Sequence, residues 1–157
     1  VISGYASISN KVIIEENARV DNYVKITGCV RVNGNALICD NATLEYDALV
    51  TDRSKISDNA VISGSARIEG NAQVSGRAEI FENAIIRGYS EISSNAVIYG
   101  DAIIEGHAAV FGNVEIYGDV NISGEARVTG NALILGNTVI CDNTLVSGNV
   151  QICCVIL

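Results

Sequence analysis

The chain has no proline, no tryptophan and no methionine, only two phenylalanines and a single histidine. A wide globular core is normally filled with large rings, so their scarcity beside 48% hydrophobic residues calls for a narrow, regular core of small and β-branched side chains. No apolar run approaches the roughly 18 residues that a bilayer-spanning segment requires. Basic residues are also scarce: 10 Lys and Arg stand against 18 Asp and Glu, giving a scattered net charge of −8. The absence of any basic stripe excludes nucleic acid and anionic membrane surfaces as partners. No signal-peptide pattern is visible, and a start at Val1 is expected of a fragment of a longer chain.

Five cysteines (Cys29, Cys39, Cys141, Cys153 and Cys154) show no framework spacing. The adjacent pair Cys153–Cys154 is expected to point to opposite sides of a strand. All five are expected to be reduced thiols acting as small hydrophobes, which favours a cytoplasmic-type compartment.

What the chain has is a six-residue repeat. Positions 2, 8, 14 and onward to 152 are 26 residues, and every one is Ile, Val or Leu. The place two residues before each is Ala in 15 of 26 units, and otherwise Val, Ser, Thr or a single Ile. All 15 glycines fall in one further place, and the next residue is most often Asn. The consensus Asn-Ala-x-(Ile/Val)-x-Gly is plain in Asn71–Gly76, Asn95–Gly100 and Asn131–Gly136, and nothing breaks the register.

Each place has a physical role. Small and large apolar residues two apart point to one side of a short strand, whereas the outward places vary freely, as in Arg67 and Glu69 or Arg127 and Thr129. The Gly (or Asp) and Asn places tolerate left-handed backbone and turn the chain. A turn every six residues excludes a helix, whose apolar period is about 3.6. The remaining solution is a coil of short strands stacked in parallel.

The number of sides follows from a second spacing. Phe81, Tyr99 and Tyr117 recur at steps of three units, and so do Asn41, Asn59, Asn95, Asn113, Asn131 and Asn149, interrupted by Arg77. Such columns suit stacked rings and an amide ladder. Three sides per coil predict about 18 residues per coil, eight to nine coils, ~26 strands in three parallel sheets and a length of roughly 42 Å.

On these residues the whole chain resembles the hexapeptide-repeat, left-handed β-helix superfamily, in the Asn-Ala-x-Val-x-Gly variant found in acyltransferase-like and prophage-associated proteins. Glycine here stands two places after the aliphatic residue rather than one. The resemblance implies an all-β, single-stranded, left-handed triangular solenoid forming one domain over residues 1–157. The right-handed bactofilin β-helix is the alternative, echoed in Gly118–Ile122.

The superfamily contains trimeric acyl-CoA-dependent transferases with a catalytic His and an extruded corner loop. This chain has only His107 and no such loop. The three-unit column puts Tyr89 and Glu125 on either side of His107, and a Glu beside a His can orient a general base. The bland alternative is that His107 fills a corner place where positive φ is tolerated. Neither a metal nor a cofactor is expected: one His cannot supply a three-His zinc site, and the cysteines lack zinc spacing.

Two surface features complete the reading. An outward strip of Val61, Phe81, Val97, Tyr99, Tyr117, Leu133 and Leu135 is expected to be a protein interface. The repeat also runs uncapped into an apolar tail, Cys153–Leu157, which leaves end-to-end stacking open. The expectation drawn from these features is a non-catalytic rod-like scaffold, self-associating as a side-to-side trimer or an end-to-end filament. An acyl-CoA-dependent acyltransferase is the alternative, and a carbohydrate- or surface-binding module using outward Tyr residues is the third.

Overall fold

Inward aliphatic and small residues alternate so regularly that every unit can lay one short strand over the strand three units before it. The computed structural model describes residues 1–157 and holds 25 strands of two to four residues. They form three parallel sheets, which define the faces of a solenoid. Face I has nine strands, from Ser7–Asn10 to Gln151–Cys153. Face II has eight, from Ile13–Ile14 to Val139–Ile140, and face III eight, from Arg19–Val20 to Leu145–Val146. Each strand pairs with the strand 18 residues on, as in Ile80↔Ile98 and Tyr99↔Tyr117.

The core is one cluster of 40 residues, drawn entirely from the aliphatic and small places of the repeat. Fully burying one aliphatic side chain stabilises by about 1.5–3 kcal/mol. Serine and threonine at the small place solve the polar problem locally. Ser54, Ser90 and Thr138 are fully buried, and each hydroxyl donates to the carbonyl three residues back, at 2.6, 2.9 and 2.8 Å.

The corners refine the sequence reading. Positive φ occurs at every residue of the Gly place and at no other, with Asn10, Glu16, Asp40, Asp52 and their equivalents among the non-glycines. The Asn place that follows is not left-handed, so His107 does not sit at positive φ; Gly106 beside it does, at 72°. Where the Gly place carries an acid, its carboxylate accepts the backbone N–H of the corner one coil on. Glu16 takes the Gly34 N–H at 2.8 Å, Asp52 that of Gly70 at 2.8 Å, Asp58 that of Gly76 at 2.9 Å and Glu82 that of Gly100 at 2.9 Å. This explains acids in a place otherwise given to glycine: they satisfy the next corner's free donor.

Two expectations need correction. None of the cysteines joins the core: Cys29, Cys153 and Cys154 are exposed, and Cys39 and Cys141 are half-buried. The repeat register also slips at its last unit. Val139 bridges Ile156 rather than Leu157, and Ile156 is 80% exposed instead of pointing inward. The small place takes Ala, Val, Ser or Thr elsewhere, and a larger Ile there does not enter the narrow prism.

Candidate functional site

The edge between faces II and III carries the chain's sole histidine. Its two columns are Glu16, Gly34, Asp52, Gly70, Gly88, Gly106, Gly124, Asp142 and, beside them, Asn17, Asn35, Arg53, Asn71, Tyr89, His107, Glu125, Asn143. Parallel stacking puts successive members about 4.8 Å apart.

His107 lies exposed on this edge, anchored by its own N–H, which donates to the Gly124 carbonyl at 2.7 Å. Its ring stacks on Tyr89, with centroids 4.9 Å apart and planes 8° from parallel. Glu125 occupies the next place of the column, as expected, but the side-chain partner of the imidazole is the Tyr89 ring rather than the Glu125 carboxylate. On the face II side, Arg87 and Glu105 form an ion pair, Nη2 to Oε2 at 2.6 Å and Nε to Oε2 at 2.7 Å. On the face III side the outward residue is Ala109, paired in the sheet with Glu91 and Arg127.

The backbone contributes as well. At Gly70 the corner N–H is taken by Asp52. At Gly88, Gly106 and Gly124 the residue one coil back is glycine, so no carboxylate reaches these donors from within the chain. Three successive amides are thus open beside Tyr89, His107 and Glu125.

Three coils away, a shallow groove of about 440 Å³ is lined by Glu16, Gly34, Asn35, Asp52, Arg53, Gly70 and Asn71. Arg53 stands between the amides of Asn35 and Asn71 and belongs to none of the four ion pairs of the protein, which join Arg19–Asp21, Lys25–Glu45, Arg67–Glu69 and Arg87–Glu105. Both acids of the groove already hold backbone amides. Sequence reasoning missed Arg53, although extending the column beyond Tyr89 by two more 18-residue steps reaches it. No group of three or more His, Cys, Asp or Glu side chains is placed to hold a metal ion.

The other expected sites lie elsewhere. The asparagine column runs along the edge between faces III and I, where Asn95, Asn113, Asn131 and Asn149 form a continuous ladder of Nδ2–Oδ1 bonds at 2.8, 2.9 and 2.6 Å. Asn41 and Asn59 share the column but not the ladder, which stops at Arg77. On face I, Val61, Phe81, Val97, Tyr99, Tyr117, Leu133 and Leu135 are all half-buried, and Glu79 and Glu115 separate Val61, Val97 and Leu133 along the sheet. Tyr99 is stacked on Phe81 at 4.8 Å and on Tyr117 at 5.0 Å, so neither face of its ring is free for a sugar. Its hydroxyl donates to Glu115 at 2.8 Å, and that bond to a carboxylate pushes the phenol up to about 12.

No protein-family model matches the chain, and no curated protein sequence matches it. Solved structures do. A UDP-N-acetylglucosamine acyltransferase from Campylobacter jejuni matches 95% of this chain and 72% of its own, with a TM-score of 0.52 and 17% identity. An Arabidopsis UDP-N-acetylglucosamine acyltransferase matches over 95% and 67%, with a TM-score of 0.56 and 15% identity. At these identities the likeness concerns the fold, which is that of acyltransferases of the hexapeptide-repeat β-helix type. It overturns the expectation of a non-catalytic rod-like scaffold or filament subunit. Two structures that match nearly the whole of this chain are UDP-N-acetylglucosamine acyltransferases, so a coil of this kind is no sign of a non-catalytic role. The error arose from treating a missing loop as missing chemistry, when the edge of an uninterrupted coil can present a histidine, open amides and a free guanidinium. No helix is long and apolar enough to cross a membrane.

Proposed function

We propose that the chain is an acyltransferase that moves an acyl group from a thioester donor to a hydroxyl of a nucleotide-linked sugar, along the edge between faces II and III. The observation that carries this reading is the exposed His107, held flat on Tyr89 beside three open corner amides, on a coil shared with two UDP-N-acetylglucosamine acyltransferases. His107 accepts the proton of the acceptor hydroxyl as its oxygen attacks the thioester carbonyl. The amides of Gly106 and Gly124 are suited to receive the negative charge that develops on the carbonyl oxygen. The departing thiolate then takes the proton back from the imidazolium, so an ester and a free thiol are the products. Glu125 adds negative charge near the imidazolium. Arg53, about 14 Å away by three coil steps, is suited to a diphosphate, with the Asn35 and Asn71 amides beside it.

The test is release of free thiol from short- and long-chain acyl thioesters, mixed with UDP-N-acetylglucosamine as acceptor. Turnover that is lost in His107→Ala and recovered by no other edge residue is the expected result. Equal thiol release by the wild-type chain and His107→Ala overturns the assignment. Arg53→Ala should raise KM for the nucleotide sugar while leaving kcat nearly unchanged.

The strip on face I is retained as the surface for a second copy of this chain. Its stacked rings Phe81, Tyr99 and Tyr117 give a continuous apolar ridge that an equally regular sheet face can cover. Light scattering after size exclusion should give a smaller particle for the double variant Tyr99→Ser, Tyr117→Ser than for the wild-type chain; equal masses would remove the strip from consideration.

A further inference from the structure

The last corner between faces I and II carries two thiols in contact. Cys153 ends the strand Gln151–Cys153, and Cys154 occupies the Gly place at φ 59°. That left-handed residue brings both side chains to the same side, against the expectation for neighbours in a strand, and their Sγ atoms lie 2.9 Å apart. The space is provided by Gly136 one coil below, where an added Cβ would lie 3.0 Å from each sulfur. The backbone is held on the other side: the Cys154 N–H donates to Thr138 Oγ1 at 2.9 Å, and that hydroxyl donates to the Leu135 carbonyl at 2.8 Å. Both thiols are exposed. Contact with Cys153 and the backbone amide of Asn137 hold the Cys154 thiol below its ordinary range, while the same contact raises Cys153.

We infer that Cys153 and Cys154 form a reversible redox-modification site, closed to a vicinal disulfide by exchange with a low-molecular-weight disulfide of the glutathione class. The Cys154 thiolate attacks one sulfur of the incoming disulfide, forming a mixed disulfide and expelling a thiolate, which takes the Cys153 proton. Cys153 then attacks Cys154 Sγ and expels the second thiolate, which is protonated from solvent. Two protein thiols are oxidised and one external disulfide is reduced to two thiols. Adjacent Cα atoms are about 3.8 Å apart, less than the ~4.4 Å at which unstrained disulfides begin, so thiols reopen the ring readily. The other cysteines lack this geometry. Cys39 in particular is pushed up to about 11, first by burial and then by Asp40, and serves as an internal reference.

The experiment equilibrates the full chain in glutathione buffers of stepped ratio, traps free thiols, and maps each cysteine by peptide mass spectrometry. The expected wild-type result is loss of two hydrogens on the Cys153–Cys154 peptide, reversed by dithiothreitol, with Cys29, Cys39 and Cys141 still reduced. Cys153→Ser should stop at a stable mixed disulfide on Cys154, and Gly136→Ala, which crowds both sulfurs, should shift the half-oxidation ratio. A wild-type chain that accumulates the mixed disulfide without closing, that pairs Cys141 with either residue, or that stays reduced in glutathione disulfide overturns the inference.

Discussion

Two edges of this solenoid are built from the same place of the same repeat and do opposite things. Along the edge between faces III and I, Asn95, Asn113, Asn131 and Asn149 spend their amides on one another. Along the edge between faces II and III, the equivalent places hold Arg53, Asn71, Tyr89, His107 and Glu125, and mixed chemistry cannot form a self-satisfying ladder. From Asn95 to Asn149 a ~4.8 Å spacing lets each amide satisfy the next, whereas Arg53, Asn71, Tyr89, His107 and Glu125 form no such run. The difference teaches that in a repeat protein the departure from consensus, rather than the consensus, marks where ligands can be met.

The contrast depends on a shared core, and the largest effect should come from breaking it. Ile86→Asp, which buries an unpaired carboxylate on face II, should lower unfolding free energy by about 3–5 kcal/mol in urea titrations. A loss under about 1 kcal/mol would mean that the coil opens locally and the two edges are not rigidly coupled. Next in size is the chemical edge: His107→Asn should reduce turnover by more than about 100-fold while stability changes by less than about 0.5 kcal/mol. Gly106→Ala should cost about 1–3 kcal/mol, because its new Cβ would lie 2.8 Å from the Gly124 carbonyl oxygen at a backbone φ of 72°. On the structural edge, Asn113→Ala removes two ladder bonds at once, and should cost about 1 kcal/mol by thermal melting with no effect on turnover. Equal stability losses at His107 and Asn113 would erase the distinction between the edges.

The smallest effect concerns face I. Folding raises the Tyr99 pKa from its ordinary value of 10 to about 12 through the bond to Glu115, so the neutral phenol is the form that folding favours. The stabilisation is complete below pH 10 and fades as the pH rises through about 12. Phenolate absorbance should show one late-titrating tyrosine that disappears in Tyr99→Phe.

Much of the architecture was legible in residues. The aliphatic place predicted the inward column from Ile26 to Ile140, and the 18-residue recurrence of Tyr99 and Tyr117 predicted their pairing. His107 was visible as the sole histidine, with Glu125 beside it in the column. Arg53 was not, because one basic residue at a corner place carries no signal until the edge containing it is recognised. The open amides of Gly106 and Gly124 were invisible for a different reason: whether a corner N–H is free depends on the residue 18 positions earlier, across a coil boundary. The contact between Cys153 and Cys154 was misread because strand alternation was applied across a corner.

The amino-acid sequence by itself determined the three-sided coil, its register and its core, because a strict period in small and β-branched residues admits one stacking solution. Tertiary structure alone decided which corner donors are capped, which rings cover one another and which thiols touch. Those outcomes depend on side chains brought together from successive coils, where a few ångströms of stacking geometry and the local sign of φ settle what sequence spacing leaves open.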